Sequence, residues 1–287
     1  MTDVRSDVVV QGASVESEFV EAISAIAEPD AIERVPAREG ATVVAWRLRA
    51  VRDIHGLAEA CTAAGLDFAI VPPERRLADL RVLAMDMDST LITIECIDEI
   101  ADYAGVKAEV AAVTARAMRG ELDFAASLAM RVALFRGLPA SVLDAVYRER
   151  IELTTGAGVL LAAARASGVG TLLVSGGFTC FTDRLRERLG LDEAVANVLE
   201  VVDGKLTGRV LDPVVDAGRK AVALAAMRAR YARDGGLVAA IGDGANDLPM
   251  LRAADVSIAY RAKPVVRDQA SHAIDHGGLD AVLNLFT

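Results

Sequence analysis

Aromatic residues are scarce: seven Phe, four Tyr and one Trp make up 4% of a chain that is 53% hydrophobic. A core built from Ala, Leu and Val with few rings suits helices packed on a sheet. Cysteine is equally sparse. Cys61, Cys96 and Cys180 are odd in number and share no CxxC spacing, which excludes a disulfide framework and a zinc knuckle and suits a reducing cytosol. No apolar run approaches membrane-spanning length, and residues 1–14 carry Asp3, Arg5 and Asp7 where a signal peptide needs an apolar centre, so a cytoplasmic protein is expected. Positive charge is also in short supply. With 31 Lys and Arg against 41 Asp and Glu, the formal charge of −10 argues against nucleic acid or an anionic membrane as partner. A phosphorylated small molecule would meet a repulsive overall field, so any site for it has to be locally positive.

Against that background, Asp86-Met87-Asp88-Ser89-Thr90 is the most informative stretch. Two carboxylates two residues apart follow the apolar run Val82-Leu83-Ala84-Met85, and like charges crowded beside a buried strand are unfavourable without compensation. A turn alone would more readily take Gly, Asn or Ser. A divalent cation that neutralises the pair, with one carboxylate attacking phosphorus, gives the pattern a reason, and phosphoryl transfer is the first functional inference.

Two units are expected. Residues 1–79 read as a small βαβ appendage: a polar lead over roughly the first 40 residues with a helix near Phe19–Ala27, a strand over Ala41–Leu48, a helix over 53–64 and a strand over Phe68–Val71, ending at Pro72-Pro73. It carries no acid cluster and no glycine-rich loop. From residue 80 to 287, apolar runs at Val82–Met85, Thr171–Val174, Leu237–Ile241 and Val256–Ala259 alternate with helical stretches such as 157–168 and 217–233. That alternation predicts an α/β fold, a doubly wound parallel sheet with ligands beyond the carboxyl ends of its strands. Helical spacing throughout about 97–150 predicts a helical cap over the site. Asp203-Gly204-Lys205 between two apolar stretches predicts a β-hairpin.

Four features converge on one sheet edge: Asp86/Asp88; Ser175-Gly176-Gly177, whose hydroxyl and N–H groups can grip a phosphate; Gly242-Asp243-Gly244-Ala245-Asn246-Asp247; and Lys220 near a helix start. Together with Glu95-Cys96-Ile97-Asp98-Glu99-Ile100 and Met118-Arg119-Gly120-Glu121-Leu122-Asp123-Phe124, this set resembles the haloacid dehalogenase-like superfamily of aspartate-nucleophile phosphatases, and within it the phosphoserine phosphatase family, over roughly residues 80–287. The resemblance implies a Rossmann-like core and Mg²⁺-dependent hydrolysis of O-phospho-L-serine through an aspartyl-phosphate, the last step of serine biosynthesis. By resemblance, Asp86 is the nucleophile and Asp88 the general acid and base. Asp86, Asp243 and the backbone carbonyl of Asp88 ligate the metal, while Asp247 either orients water or Lys220 from outside the ligand set or is a helix-start acid that satisfies backbone N–H groups. Ser175, Gly176, Lys220 and Asn246 hold the phosphoryl group. Glu95 faces the substrate ammonium and Arg131 its carboxylate, with Met118 and Phe124 closing over the serine stem.

The resemblance further implies a small-molecule substrate without nucleic-acid or membrane partners, allows a homodimer, and likens residues 1–79 to an amino-acid-sensing ACT module. Transfer of the phosphoryl group to another hydroxyl, such as that of homoserine, shares every motif residue; a non-catalytic amino-acid sensor is the alternative of a different class. His55, His272 and His276 lie outside the motifs and are expected at the surface or as caps, and Asp98 and Glu99 on a solvated helix face.

Overall fold

The computed structural model describes residues 6–287; residues 1–5 of the expected polar lead lie outside them. The amino-terminal unit contains β1 (Asp7–Gly12), α1 (Ser17–Ala27), β2 (Ala31–Arg34), β3 (Val44–Arg49), α2 (Leu57–Ala63) and β4 (Asp67–Val71). They form an antiparallel sheet in the order β2-β3-β1-β4, so the expected βαβ unit is a βαββαβ unit. The two additional strands, β1 and β2, follow from the local sequence poorly. The apolar run of β1 is only Val8-Val9-Val10, bracketed by a buried Asp7 and Gln11, and all four residues of β2 are exposed on the sheet edge.

Alternation gives this sheet two apolar faces. Val8, Val10 and Leu48 pack with Ile23 and Ala27 of α1 and Leu57 and Cys61 of α2. Val9, Val43, Ala45, Ala69 and Val71 face the other way and join the core of the larger unit, where the 3₁₀ segment Leu279–Leu285 is buried. The joint is also polar. Both oxygens of Asp67 accept backbone N–H groups, Asp275 and His276 on Oδ1 at 2.7 and 3.0 Å and Gly277 on Oδ2 at 2.7 Å. Arg47, 3% exposed, donates to the carbonyls of Asn284 (2.7 Å) and Phe286 (3.0 Å). His272 departs from its expected surface position: it is buried, and Arg75 Nη1 lies 2.6 Å from its Nε2, so that nitrogen accepts and the ring is neutral.

The larger unit is a seven-stranded sheet. Its strands are β5 (Leu80–Met85), β6 (Gly170–Phe178), β7 (Glu193–Val202), β8 (Lys205–Leu211), β9 (Leu237–Gly242), β10 (Val256–Tyr260) and β11 (His272–Ile274), in the order β11-β10-β9-β5-β6-β7-β8. All neighbours are parallel except β7 and β8, the expected hairpin, whose turn residues Asp203 (φ 50°) and Gly204 (φ 71°) both take positive φ. Successive residues of β5 feed opposite layers. Leu83 and Met85 pack in one core with Leu160 and Leu161 of α7 (Ala157–Ala166) and Phe181 and Leu185 of α8 (Thr179–Leu189). Val82 and Ala84 pack in another with Leu224 and Met227 of α9 (Ala217–Tyr231) and Met250 and Leu251 of α10 (Leu248–Arg252).

Between β5 and β6 the chain leaves the sheet for four helices: α3 (Cys96–Ala104), α4 (Lys107–Met118), α5 (Phe124–Ala133) and α6 (Ser141–Glu149). It departs and returns side by side, with Ile92 bridged to Leu153 and Thr93 N–H bonded to Glu152 O. From β5 the sheet grows one way through β6 to β8 and the other through β9 to β11. The order reverses between β5 and β9, the place where doubly wound sheets open a ligand crevice. No helix among the described residues is long and apolar enough to cross a membrane.

Candidate active site

Asp86 stands at the end of β5, its N–H bonded to Ile241 O of β9 (3.0 Å), and the residue is buried. A kinked turn, Met87–Leu91, follows, in which Asp88 and Ser89 leave helical geometry. Ser89 takes φ 55°, an unfavourable region for a residue with a Cβ, and its hydroxyl bonds Glu95 Oε1 at 2.7 Å. This kink brings Asp88 back over the strand end. Asp88 Oδ1 accepts the N–H of Cys96 (2.8 Å), and Oδ2 accepts the Ser175 hydroxyl (3.1 Å).

Lys220 reaches the same point from the first turns of α9. It is 1% exposed, with Nζ 2.8 Å from Asp86 Oδ1 and 2.7 Å from Asp247 Oδ1. Burial alone would lower its pKa, but the two carboxylates outweigh that and hold it above the usual value. The loop after β9 supplies Asp243, which accepts the Thr90 hydroxyl at 3.3 Å, and Asp247, whose Oδ2 accepts the Gly244 N–H at 3.0 Å. Glycine at 242 permits this crowding, since a Cβ there would lie 2.5 Å from the Asp247 carboxyl carbon. Gly177 does the same for Asp88, whose Oδ2 would meet a Cβ at 2.8 Å.

Negative charge in this crevice exceeds what the protein neutralises. Desolvation raises the pKa of Asp86 well above normal, opposed by Lys220 and reinforced by Asp247. Desolvation also raises Asp88, against the stabilising Cys96 N–H, and pushes Asp243 to about 6 with Asp247 as the next cause. Glu95 keeps accessible surface, yet desolvation of its carboxyl and the neighbouring Asp88 raise it to about 7. One oxygen each of Asp86, Asp243 and Asp247 lies within 4.8 Å of the others. A set of crowded, protonation-prone hard oxygens fits a divalent cation of the Mg²⁺ or Ca²⁺ type. Because Asp247 already receives Lys220 on one oxygen and Gly244 on the other, the carboxylates with spare capacity are those of Asp86 and Asp243.

The cap lies over this centre. Phe124 sits against Gly176, where an added Cβ would meet its ring at 3.0 Å. Arg131 is half-buried on the same helix, and its pKa is lowered by desolvation against the opposing field of Asp98 and Glu95. Asp98 is therefore no solvated bystander: it is half-buried within reach of the Arg131 charge, and half-buried Glu99 pairs with Arg150 at 3.6 Å. Met118 is 68% exposed, unlike Phe124. Asn246 is half-buried in the 3₁₀ turn Ala245–Asp247 beside Gly244. The sequence offers no local signal for Asn197, a buried amide inside an apolar strand, which bonds Gly176 O at 2.8 Å and Val215 N–H at 2.7 Å.

Known proteins resemble this chain in sequence and in fold. A phosphoserine phosphatase of Polaromonas sp. is 50% identical over 226 residues, 77% of this chain and 96% of that protein. The crystal structure of a probable phosphoserine phosphatase from Vibrio cholerae superposes with a TM-score of 0.84 at 38% identity, covering 99% of this chain and 87% of that one. A haloacid dehalogenase family hydrolase from Salmonella enterica serovar Typhi superposes with a TM-score of 0.86 at 32% identity over 98% of each chain, the amino-terminal sheet included. The haloacid dehalogenase-like hydrolase family itself matches residues 83–252, more than half of the 287. On its sheet order, its acid-lined crevice and these likenesses, the chain belongs to the haloacid dehalogenase-like hydrolases.

Proposed function

We propose that this hydrolase cleaves O-phospho-L-serine to L-serine and phosphate through an aspartyl-phosphate on Asp86, with Mg²⁺ as its cation. The charge layout carries the reading: a buried Lys220 beside an acid cluster at the strand ends, and above it a carboxylate and a guanidinium, Glu95 and Arg131, on the cap. A phosphorylated amino acid has the matching three charges. Relatives named phosphoserine phosphatase, one of them 50% identical, support the same substrate.

In the proposed reaction Asp86 attacks phosphorus in line. The Met87 N–H and Lys220 both bind its Oδ1 and hold the carboxylate in place. Asp88, whose raised pKa favours the protonated form, gives its proton to the departing serine oxygen and then takes one from the attacking water. Ser175, the Gly176 N–H, Lys220 and Asn246 hold the phosphoryl oxygens. Asp86, Asp243 and the Asp88 carbonyl would hold Mg²⁺, which when bound supplies positive charge against the repulsion between carboxylate and phosphate. The substrate ammonium pairs with Glu95, whose pKa of about 7 then falls, and the guanidinium of Arg131 forks onto the substrate carboxylate. The first turnover assay is phosphate release from phosphoserine, phosphothreonine, a sugar phosphate and p-nitrophenyl phosphate, with Mg²⁺ and with EDTA. Phosphoserine should lead, and EDTA should abolish release. Arg131→Ala should cut kcat/KM about 30-fold for phosphoserine and little for the aryl ester, the loss expected when a charged pairing partner is removed. Equal losses on both esters, or preference for the sugar phosphate, would sink the proposal.

A further inference from the structure

Asn197 lies outside the set of groups that would touch substrate, yet it holds both walls of the crevice. Val174 of β6 pairs with Val195 of β7, and Phe178 with Asn197, so Ser175, Gly176 and Gly177 bulge out opposite a single residue. Asn197, 1% exposed, stands where the bulge rejoins the ladder. Its Nδ2 donates to Gly176 O at 2.8 Å and, more weakly, to Val215 O at 3.4 Å, while its Oδ1 accepts the Val215 N–H at 2.7 Å. A backbone N–H can only donate and a carbonyl can only accept, so the amide has one satisfied orientation.

The consequences run two ways. In a trans peptide C=O and N–H point in opposite directions, so anchoring Gly176 O at Asn197 aims the Gly177 N–H away from it, at Ser175 Oγ, 2.8 Å off. That bond leaves the Ser175 hydroxyl proton for Asp88 Oδ2 at 3.1 Å. On the other side, Val215 precedes Asp216, the N-cap of α9 whose carboxylate accepts the Arg219 N–H, and the next residue is Lys220, paired with Asp86. We infer that Asn197 is a positioning residue for phosphoryl transfer: it keeps the phosphate-gripping turn beside Asp88 and the Lys220 helix beside Asp86 in one fixed spacing.

The inference rests on the hydrolase reading above, and the test separates the two. Wild-type release of phosphate from phosphoserine reports that reading. Asn197 is tested with p-nitrophenyl phosphate, comparing wild type with Asn197→Asp, which keeps the shape but turns a donor into an acceptor facing two carbonyls, and with Asn197→Ala. The expected result is a kcat lowered roughly 10- to 100-fold, the scale of loss for displacement of groups around a reacting centre, with KM changed far less. Inhibition by orthovanadate, which occupies the phosphoryl position, should weaken in parallel. A merely structural role lowers the folded fraction, and with it kcat, but leaves the vanadate inhibition constant of the remaining enzyme untouched. Either that result or unchanged kcat in both variants overturns the inference, whatever the wild type does with phosphoserine.

Discussion

The joint between the sheets and the crevice both bury carboxylates, and they treat them in opposite ways. At the joint between the sheets, Asp67 receives three backbone N–H groups and both oxygens of Asp280 accept from Thr42, so each oxygen meets a donor. In the crevice, Asp86, Asp88, Asp243 and Asp247 share Lys220 and a few hydrogen bonds, and three of the four have raised pKa values. Burial is common to both; crowding separates them. A buried acid with donors of its own holds two parts of a fold together, whereas acids packed around one shared lysine store affinity for protons, cations and phosphorus.

Exchanging acids at the two places tests this contrast. The largest effect is expected from Asp86→Asn, which should lower turnover at least ~10³-fold, as removal of a nucleophile does, without lowering the melting temperature in EDTA. A melting temperature that falls with activity would make Asp86 a structural acid like Asp67. Asp67→Ala should do the converse. Three stranded N–H groups should cost about 3 kcal/mol in urea unfolding, while the folded variant keeps its kcat. A large drop in kcat would show that the joint also governs the crevice.

The smallest effect is one of pH. Desolvation raises Asp243 from 3.8 to about 6 and Glu95 from 4.5 to about 7, so the folded state holds these protons more tightly than the unfolded chain. Their contribution to stability is complete below about pH 4 and is lost as pH rises through 6 to 7. In EDTA the loss should reach about 1 kcal/mol by pH 7.5, discounted for the partial exposure of both groups. Added Mg²⁺ should recover it, so the gap between metal and EDTA melting curves widens with pH. A gap independent of pH would show that these acids are not the ones a cation relieves.

The crevice was far more legible in the sequence than the joint. Acids after apolar runs, at Asp86, Asp88 and Asp243, form a pattern that packing alone disfavours, and helical spacing in the cap and the Asp203-Gly204 turn are local signals too. The features that escaped depend on partners far along the chain. β1 is a strand because Gln11 meets Asn284 and Asp7 meets Arg47 and Arg49, residues 40 or more positions away. β2 hides no residue and so leaves no alternation to read. His272 is buried through Arg75, 197 positions distant. Asn197 looks like one polar residue in an apolar strand until the bulge of β6 is seen beside it.

The grip of Arg47 on the carbonyls of Asn284 and Phe286 also orders events in time. The amino-terminal sheet emerges from the ribosome first, with Val9, Val43, Ala45, Ala69 and Val71 as an uncovered oily surface. Its cover, Leu279–Leu285, is synthesised some two hundred residues later. Throughout that interval the nascent chain carries this apolar face without the segment that covers it in the finished fold.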